Sequence, residues 1–119
     1  MPKPIGLKFH GVLDYLSVLL LFAAGPVVGF DGIASQITST LAGVVLVYSA
    51  ATSYPLGLVR LISFKGHLIL DAVLAVGAIL SPWIFGFSGD PKACYFFVVY
   101  GVFVLIVVGL SDSRNVKSS

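Results

Sequence analysis

The chain of 119 residues is 58% hydrophobic and only 10% charged, with a mean hydropathy of +1.06. A soluble domain of this size needs far more polar surface, so the composition excludes one and places the chain in a lipid bilayer. The net charge of +2 comes from basic residues that lie between the apolar runs, where topology signals are found, and it does not suggest a nucleic-acid partner.

The hydrophobic runs predict four transmembrane helices, since about 20 apolar residues in a helix cross a bilayer. The predicted spans are residues 10–30, 35–54, 66–87 and 92–110. Chain breakers separate them, namely Asp31-Gly32, Pro55 with Gly57, and residues 88–91. Because the first and third gaps are short, we expect an all-α fold in which two tandem helical hairpins, at about 8–54 and about 64–110, form a single membrane domain.

Six basic residues fall at the two termini or in the middle connection, namely Lys3, Lys8, Arg60, Lys65, Arg114 and Lys117. Lys92 alone lies on the opposite side. By the positive-inside rule both termini face the cytoplasm, in an arrangement that suits the cytoplasmic membrane of a bacterium. Residues 111–119 are polar and predict a flexible cytoplasmic tail.

The two predicted hairpins share a pattern of polar and small residues in the same order. The matching pairs are His10 with His67, Asp14 with Asp71, and in the partner helices Gly43 with Gly101. The chain is therefore interpreted as a duplicated two-helix unit. Because each unit crosses the bilayer twice, the copies keep the same orientation and form a parallel repeat about an axis along the membrane normal.

The sequence ILSPWIFGF places Ser81, Pro82 and Trp83 late in the first helix of a two-helix unit. This motif resembles that of the SPW repeat family of small bacterial membrane proteins, whose hallmark is the same tripeptide in the first of two spans. The resemblance implies an integral membrane protein of this layout and implies no activity. In the first half, Gly25-Pro26-Val27 stands in place of Ser-Pro-Trp, and only the proline is retained.

Pro26 and Pro82 lie inside predicted helices, where each proline removes a backbone hydrogen bond and bends the axis. In a membrane the freed carbonyl needs a partner, which the Ser81 hydroxyl can supply in the second half. Trp83 is expected to lie at the membrane interface, where aromatic rings are favoured. We interpret the motif as a helix kink with an interfacial anchor; the alternative is the rim of a site or passage.

The His/Asp pairs are the sharpest chemical feature. Residues four apart share a helix face, so Asp14 can accept a hydrogen bond from His10, and Asp71 from His67. Local pairing of this kind satisfies both groups. Alternatively the pairs converge across the bundle axis, where they could relay protons or bind a divalent metal. Metal is the weaker alternative, because each pair must borrow ligands from another helix, and neither a metal nor another cofactor is predicted.

The sequence contains no nucleophile elbow, phosphate-binding glycine loop or zinc-protease motif, so an enzyme is not predicted. Short loops and a surplus of apolar helix surface favour a non-catalytic structural or accessory subunit, within a homo-oligomer or a larger membrane complex. The alternative is a proton- or cation-handling channel or transporter that uses the His/Asp pairs. A third interpretation is a ligand or cofactor pocket between the repeats, covered by Trp83.

Overall fold

The computed structural model of the chain describes residues 4–111 and contains four α-helices in this range. They are α1 (Leu7–Ala24), α2 (Gly32–Ala50), α3 (Phe64–Ile84) and α4 (Pro91–Leu110), with a five-residue π-helical segment, Gly25–Gly29, directly after α1. Each is long and apolar enough to cross a membrane, α1 together with the π-helical segment, which confirms the predicted all-helical membrane fold. The predicted tail lies outside the described residues except for Ser111.

Every helix begins one to three residues before its predicted start, and at α3 and α4 a capping side chain sets the boundary. The Ser63 side chain accepts a hydrogen bond from the backbone of Gly66 at the start of α3, and Asp90 caps α4 in the same way. The helices α2 and α3 also end before the predicted ends of their spans. The chain turns after Ala50, which leaves Tyr54 in the connection instead of in a helix, and Gly86 follows the end of α3 with a φ of +79°.

The helices pack most closely in sequential pairs, α1 against α2 and α3 against α4. Near the two short connections the core is aromatic and alanine-rich, and it consists of Ala24, Phe30, Ala34, Ala78, Phe87, Ala93 and Phe97. A second apolar cluster fills the middle of the bundle, around Leu21 and Val45. The opposite end holds most of the buried polar residues, whereas the buried hydroxyls of Thr38 and Ser81, nearer the aromatic end, donate to the backbone of their own helices. Large apolar side chains cover much of the outer surface, as expected of helices that face lipid.

Matching backbone contacts close the polar end of the bundle. The residue Ile5, before α1, forms a parallel bridge with Ser111 after α4, and Ile62, before α3, forms one with Thr52 after α2. Ser111 therefore corresponds to Thr52. Counting back along both helices from these residues pairs Gly101 with Ala42, and both are buried. The sequence alignment of Gly101 with Gly43 is thus displaced by one residue.

We expect Gly101→Ala to destabilise the protein by about 1–3 kcal/mol, the usual cost of overpacking. A Cβ atom at Gly101 would lie 2.6 Å from the carbonyl oxygen of Ala75 in α3, so α3 and α4 would have to separate. Gly43→Ala is the matched control, because nothing lies within 4 Å of the added atom. Thermal unfolding in detergent, followed by circular dichroism, measures both variants. Equal melting temperatures would contradict the close approach at Gly101.

The helix ends that carry Pro26 and Pro82 differ in structure. Gly25–Gly29 is π-helical, whereas α3 continues as an α-helix through Pro82. The Phe30 N–H donates to the carbonyl oxygen of Gly25 at 2.9 Å, and the Phe87 N–H donates to that of Pro82 at 2.8 Å. These equivalent bonds show that Pro82 in the second half corresponds to Gly25 in the first. The two prolines therefore do not occupy matching positions in the two halves of the chain.

The other two residues of the motif differ in their surroundings, because Ser81 bonds its own helix and Trp83 lies on the surface. The Ser81 hydroxyl donates to the carbonyl oxygen of Gly77 at 2.6 Å. The carbonyl that lacks its usual N–H donor because of Pro82 is the next one, that of Ala78. Trp83 is 59% exposed. This orientation suits an interfacial anchor and not the cover of an internal pocket.

Candidate functional site: a buried histidine and aspartate cluster

The four polar residues predicted in the spans meet inside the bundle. His10 and Asp14 lie on the inward face of α1, and His67 and Asp71 lie on that of α3, because a spacing of four places both members of a pair on one helix face. Both histidines are 0% exposed, and the aspartates are 7% and 5% exposed. We call these four residues the His/Asp cluster.

Each imidazole of the cluster lies between two carboxylates. His10 Nε2 is 3.0 Å from Asp71 Oδ2 and 3.3 Å from Asp14 Oδ1. His67 Nε2 is 2.9 Å from Asp14 Oδ2 and 3.2 Å from Asp71 Oδ2. In both cases the nearer aspartate belongs to the other helix. The pairs therefore converge across the bundle, which is the second of the two arrangements considered from the sequence.

Two hydroxyl groups fix the orientation of the imidazoles. Ser111 Oγ lies 2.6 Å from His10 Nδ1, and Thr52 Oγ1 lies 2.7 Å from His67 Nδ1. Each hydroxyl donates its own proton to the backbone carbonyl four residues earlier, at 2.7 Å for Ser111 and 2.5 Å for Thr52. Since that proton is used, each hydroxyl oxygen accepts from the imidazole. Both histidines thus carry a proton on Nδ1 and turn Nε2 toward the carboxylates.

Two tyrosines bind the carboxylates from outside the cluster. Tyr48, on α2, donates to Asp71 Oδ1, and Tyr54, in the connection after α2, donates to Asp14 Oδ2 at 2.9 Å. Burial raises the pKa of Tyr54 well above its ordinary value, and the charge of Asp14 raises it further. Tyr54 is therefore a permanent donor to Asp14.

The sequence gives little indication of these four partners. Thr52 and Ser111 occupy equivalent places in the two halves, but their correspondence emerges only from the backbone bridges. Tyrosines near the end of a span are common at membrane interfaces, where most serve as anchors. The signal that the sequence does offer is a hydroxyl residue just after the second helix of each hairpin, Thr52 in the first and Ser111 in the second.

We expect Tyr54→Phe to destabilise the protein by about 1.5–3 kcal/mol, because the variant lacks the hydroxyl group that donates a hydrogen bond to the Asp14 carboxylate. The pKa of Tyr54 is higher in the fold than its ordinary 10.0. Its full contribution to the free energy of unfolding is therefore present below about pH 10, and this contribution declines as the pH rises further. The variant should therefore lose less stability at alkaline pH than the wild type. Melting curves at neutral and alkaline pH test this, with exposed Tyr95→Phe as the control. Identical behaviour of the two variants would contradict the role of Tyr54.

A cavity of about 40 Å³ adjoins the cluster on the side toward the middle of the bundle. Asp14 and Asp71 line it, together with Ser17 and Tyr100, whose hydroxyl oxygens are 2.5 Å apart. A water molecule needs a cavity of roughly 10–15 Å³, so this cavity is large enough for water. Polar groups therefore extend one helical turn beyond the cluster.

Comparison with known proteins identifies a family. The model of the family described as the SPW repeat domain matches residues 8–111, which include both two-helix units and all four residues of the cluster. No curated protein and no solved structure matches the chain.

Proposed function

We infer that this chain, which belongs to the SPW repeat domain family, is a non-catalytic integral membrane protein that acts as a structural or accessory subunit. The observation that carries this proposal is the division of the bundle into a polar end and an apolar end. The proposal includes assembly with further copies of the chain or with other membrane proteins.

The apolar end interrupts any polar route through one copy of the chain. Among the described residues, the polar groups next to the cluster end at Ser17 and Tyr100. Beyond them lies the core built around Phe30, Phe87 and Phe97. A proton or ion that entered this region would lose its hydrogen-bonding partners, at a cost of several kcal/mol per polar group. A single copy is therefore better suited to a structural role than to conduction.

The surface of α4 supplies a candidate assembly face. This helix is the most hydrophobic of the four, and it has exposed apolar side chains along one face, at helical spacings of three and four, namely Val99, Val102, Phe103, Ile106 and Leu110. Such a surface can pack against lipid or against the helices of another subunit. We propose that α4 provides the contact with that subunit.

Native mass spectrometry after gentle extraction from the membrane tests this proposal. We expect either a homo-oligomer or a complex of fixed stoichiometry. Val99→Trp on α4 should weaken that assembly, whereas Val73→Trp on α3 should not; the two valines are 63% and 62% exposed. An isolated monomer without a partner would overturn the proposal, and equal effects of the two variants would overturn the assignment to α4.

Proton or cation handling is the second candidate, and the cavity beside Asp14 and Asp71 favours it. In this case the cluster would take up protons or cations at one end of the bundle, and further copies would complete the path. The predicted orientation would put that end on the cytoplasmic side. The observation that distinguishes this candidate from a purely structural role is ion-dependent flux.

Flux into liposomes that contain the purified protein tests this second candidate. The double variant Asp14→Asn, Asp71→Asn should abolish flux, and Asp31→Asn, which removes an exposed carboxylate outside the cluster, should preserve it. Absence of flux with the wild type, or equal flux with the double variant, would exclude the proposed route.

A further inference from the structure

We propose that the His/Asp cluster binds one divalent transition-metal ion of the Zn²⁺ type. The ligands are Nε2 of His10, Nε2 of His67 and one carboxylate oxygen each from Asp14 and Asp71. This site goes beyond the structural or accessory role and does not depend on it, because metal binding can be measured whatever the protein assembles with.

The spacing of the donor atoms supports a four-coordinate site. With metal–ligand bonds of about 2.0–2.1 Å, neighbouring ligands of a tetrahedral ion lie about 3.3–3.4 Å apart. The four distances from histidine nitrogens to aspartate oxygens are 2.9–3.3 Å; both histidines approach Oδ2 of Asp71, whereas His10 approaches Oδ1 of Asp14 and His67 approaches its Oδ2. One donor atom from each residue can be chosen so that all four lie within 4.8 Å of one another. Small side-chain movements therefore suffice to gather all four donors around one ion.

The outer contacts of the ligands are those of a metal site. Histidines that bind metal through one ring nitrogen usually donate the other N–H to a fixed acceptor, which sets the tautomer and the ring orientation. Thr52 and Ser111 provide those acceptors for His67 and His10. Tyr48 holds one oxygen of Asp71 and leaves Oδ2 facing both imidazoles. Each half of the cluster is thus oriented before any ion binds.

His67 Nε2 provides an independent indication of a ligand. This nitrogen is fully buried and makes no hydrogen bond to any described residue, although Asp14 Oδ2 is only 2.9 Å away. A buried polar atom without a hydrogen bond is costly, and His67 Nε2 faces two carboxylate oxygens, at 2.9 Å from Asp14 and 3.2 Å from Asp71. A metal ion between the imidazoles and the carboxylates would use this nitrogen as a ligand.

The donor set defines the class of ion. Two carboxylates and two neutral imidazoles balance the charge of a divalent cation in this buried site. Ca²⁺ and Mg²⁺ prefer sites made entirely of oxygen ligands, whereas imidazole nitrogen suits Zn²⁺, Co²⁺, Fe²⁺ and their neighbours. We therefore expect selectivity for these transition metals over Ca²⁺ and Mg²⁺.

Titration of untagged, chelator-treated protein in lipid nanodiscs with Co²⁺ tests the site. We expect one equivalent of Co²⁺ to bind with the strong visible absorption of four-coordinate cobalt, and Zn²⁺ but not Mg²⁺ to displace it. His67→Gln should abolish this absorption, and Asp31→Asn should leave it unchanged. Circular dichroism of each variant establishes that the helices are retained.

Thr52→Val keeps all four ligands and removes the hydroxyl that orients His67, so it provides a second test if His67→Gln does not fold. We expect it to weaken Co²⁺ binding about 10–100-fold, the usual effect of losing an outer contact of a metal ligand. Failure of the folded wild type to bind Co²⁺ would overturn the proposal. Equal affinity in wild type and folded Thr52→Val would overturn it as well.

Discussion

Asp71→Asn is expected to lower the free energy of unfolding by about 3–5 kcal/mol, the typical cost of removing one partner from a buried ionic group. The Asp71 carboxylate accepts from Tyr48, and it lies 3.0 Å from His10 Nε2 and 3.2 Å from His67 Nε2. An amide in its place can direct its NH₂ group at N–H donors and supplies no negative charge. One change therefore disturbs three buried contacts.

Chemical or thermal unfolding of the chelator-treated protein, in detergent and at neutral pH, measures this effect. Asp31→Asn is the matched control, because Asp31 is exposed and its side chain makes no capping bond at the start of α2. We expect that control to stay within about 0.5 kcal/mol of the wild type. If both variants unfolded alike, the cluster would contribute little to stability.

Phe97→Ala is expected to cost about 3 kcal/mol through loss of packing at the apolar end of the bundle. Phe97 is 1% exposed, and its ring centroid lies 4.8 Å from that of Phe87, 6.1 Å from that of Phe96 and 6.2 Å from that of Phe30. In a bilayer the gain from burying an apolar group away from lipid is small, so the cost arises from lost van der Waals contacts and the cavity that remains.

The matched control for this change is Phe22→Ala, since Phe22 points outward from α1 and is half exposed. Lipid chains can fill the space that this substitution leaves, so we expect little change in stability. Thermal unfolding in nanodiscs compares the two variants under a bilayer-like environment. A larger loss for Phe22→Ala than for Phe97→Ala would show that the aromatic core is not the main packing element at this end.

The sequence predicts the four helices because long apolar runs and their breakers are local properties of the chain. It also predicts the His/Asp cluster in part. A spacing of four fixes that His10 and Asp14 share a face, and repetition fixes that His67 and Asp71 do so at the same end. Whether the two faces converge depends on helix packing, which a single sequence does not specify, so the sequence also allows local pairing within each helix.

The remaining partners of the cluster depend on irregular backbone. Tyr54 is predicted at the end of the second span, residues 35–54, yet α2 ends at Ala50. The connection that follows places this tyrosine next to Asp14. Ser111 is predicted at the start of a flexible tail, yet the bridge to Ile5 holds it beside His10. Hydropathy carries no information about such pairings between distant segments. The π-helical segment after α1 is likewise irregular backbone that hydropathy does not indicate.

The hydroxyl contacts of the two histidines are reciprocal between the halves of the chain. Thr52 belongs to the first half and accepts from His67 in the second, while Ser111 belongs to the second half and accepts from His10 in the first. One two-helix unit alone would therefore hold a histidine without its acceptor and an acceptor without its histidine. Deleting either unit removes one histidine and one aspartate, and it leaves the other histidine without its hydroxyl acceptor. A chain of one unit could rebuild the cluster only by pairing with a second chain, so a fused duplicate secures within one polypeptide what would otherwise require dimerisation.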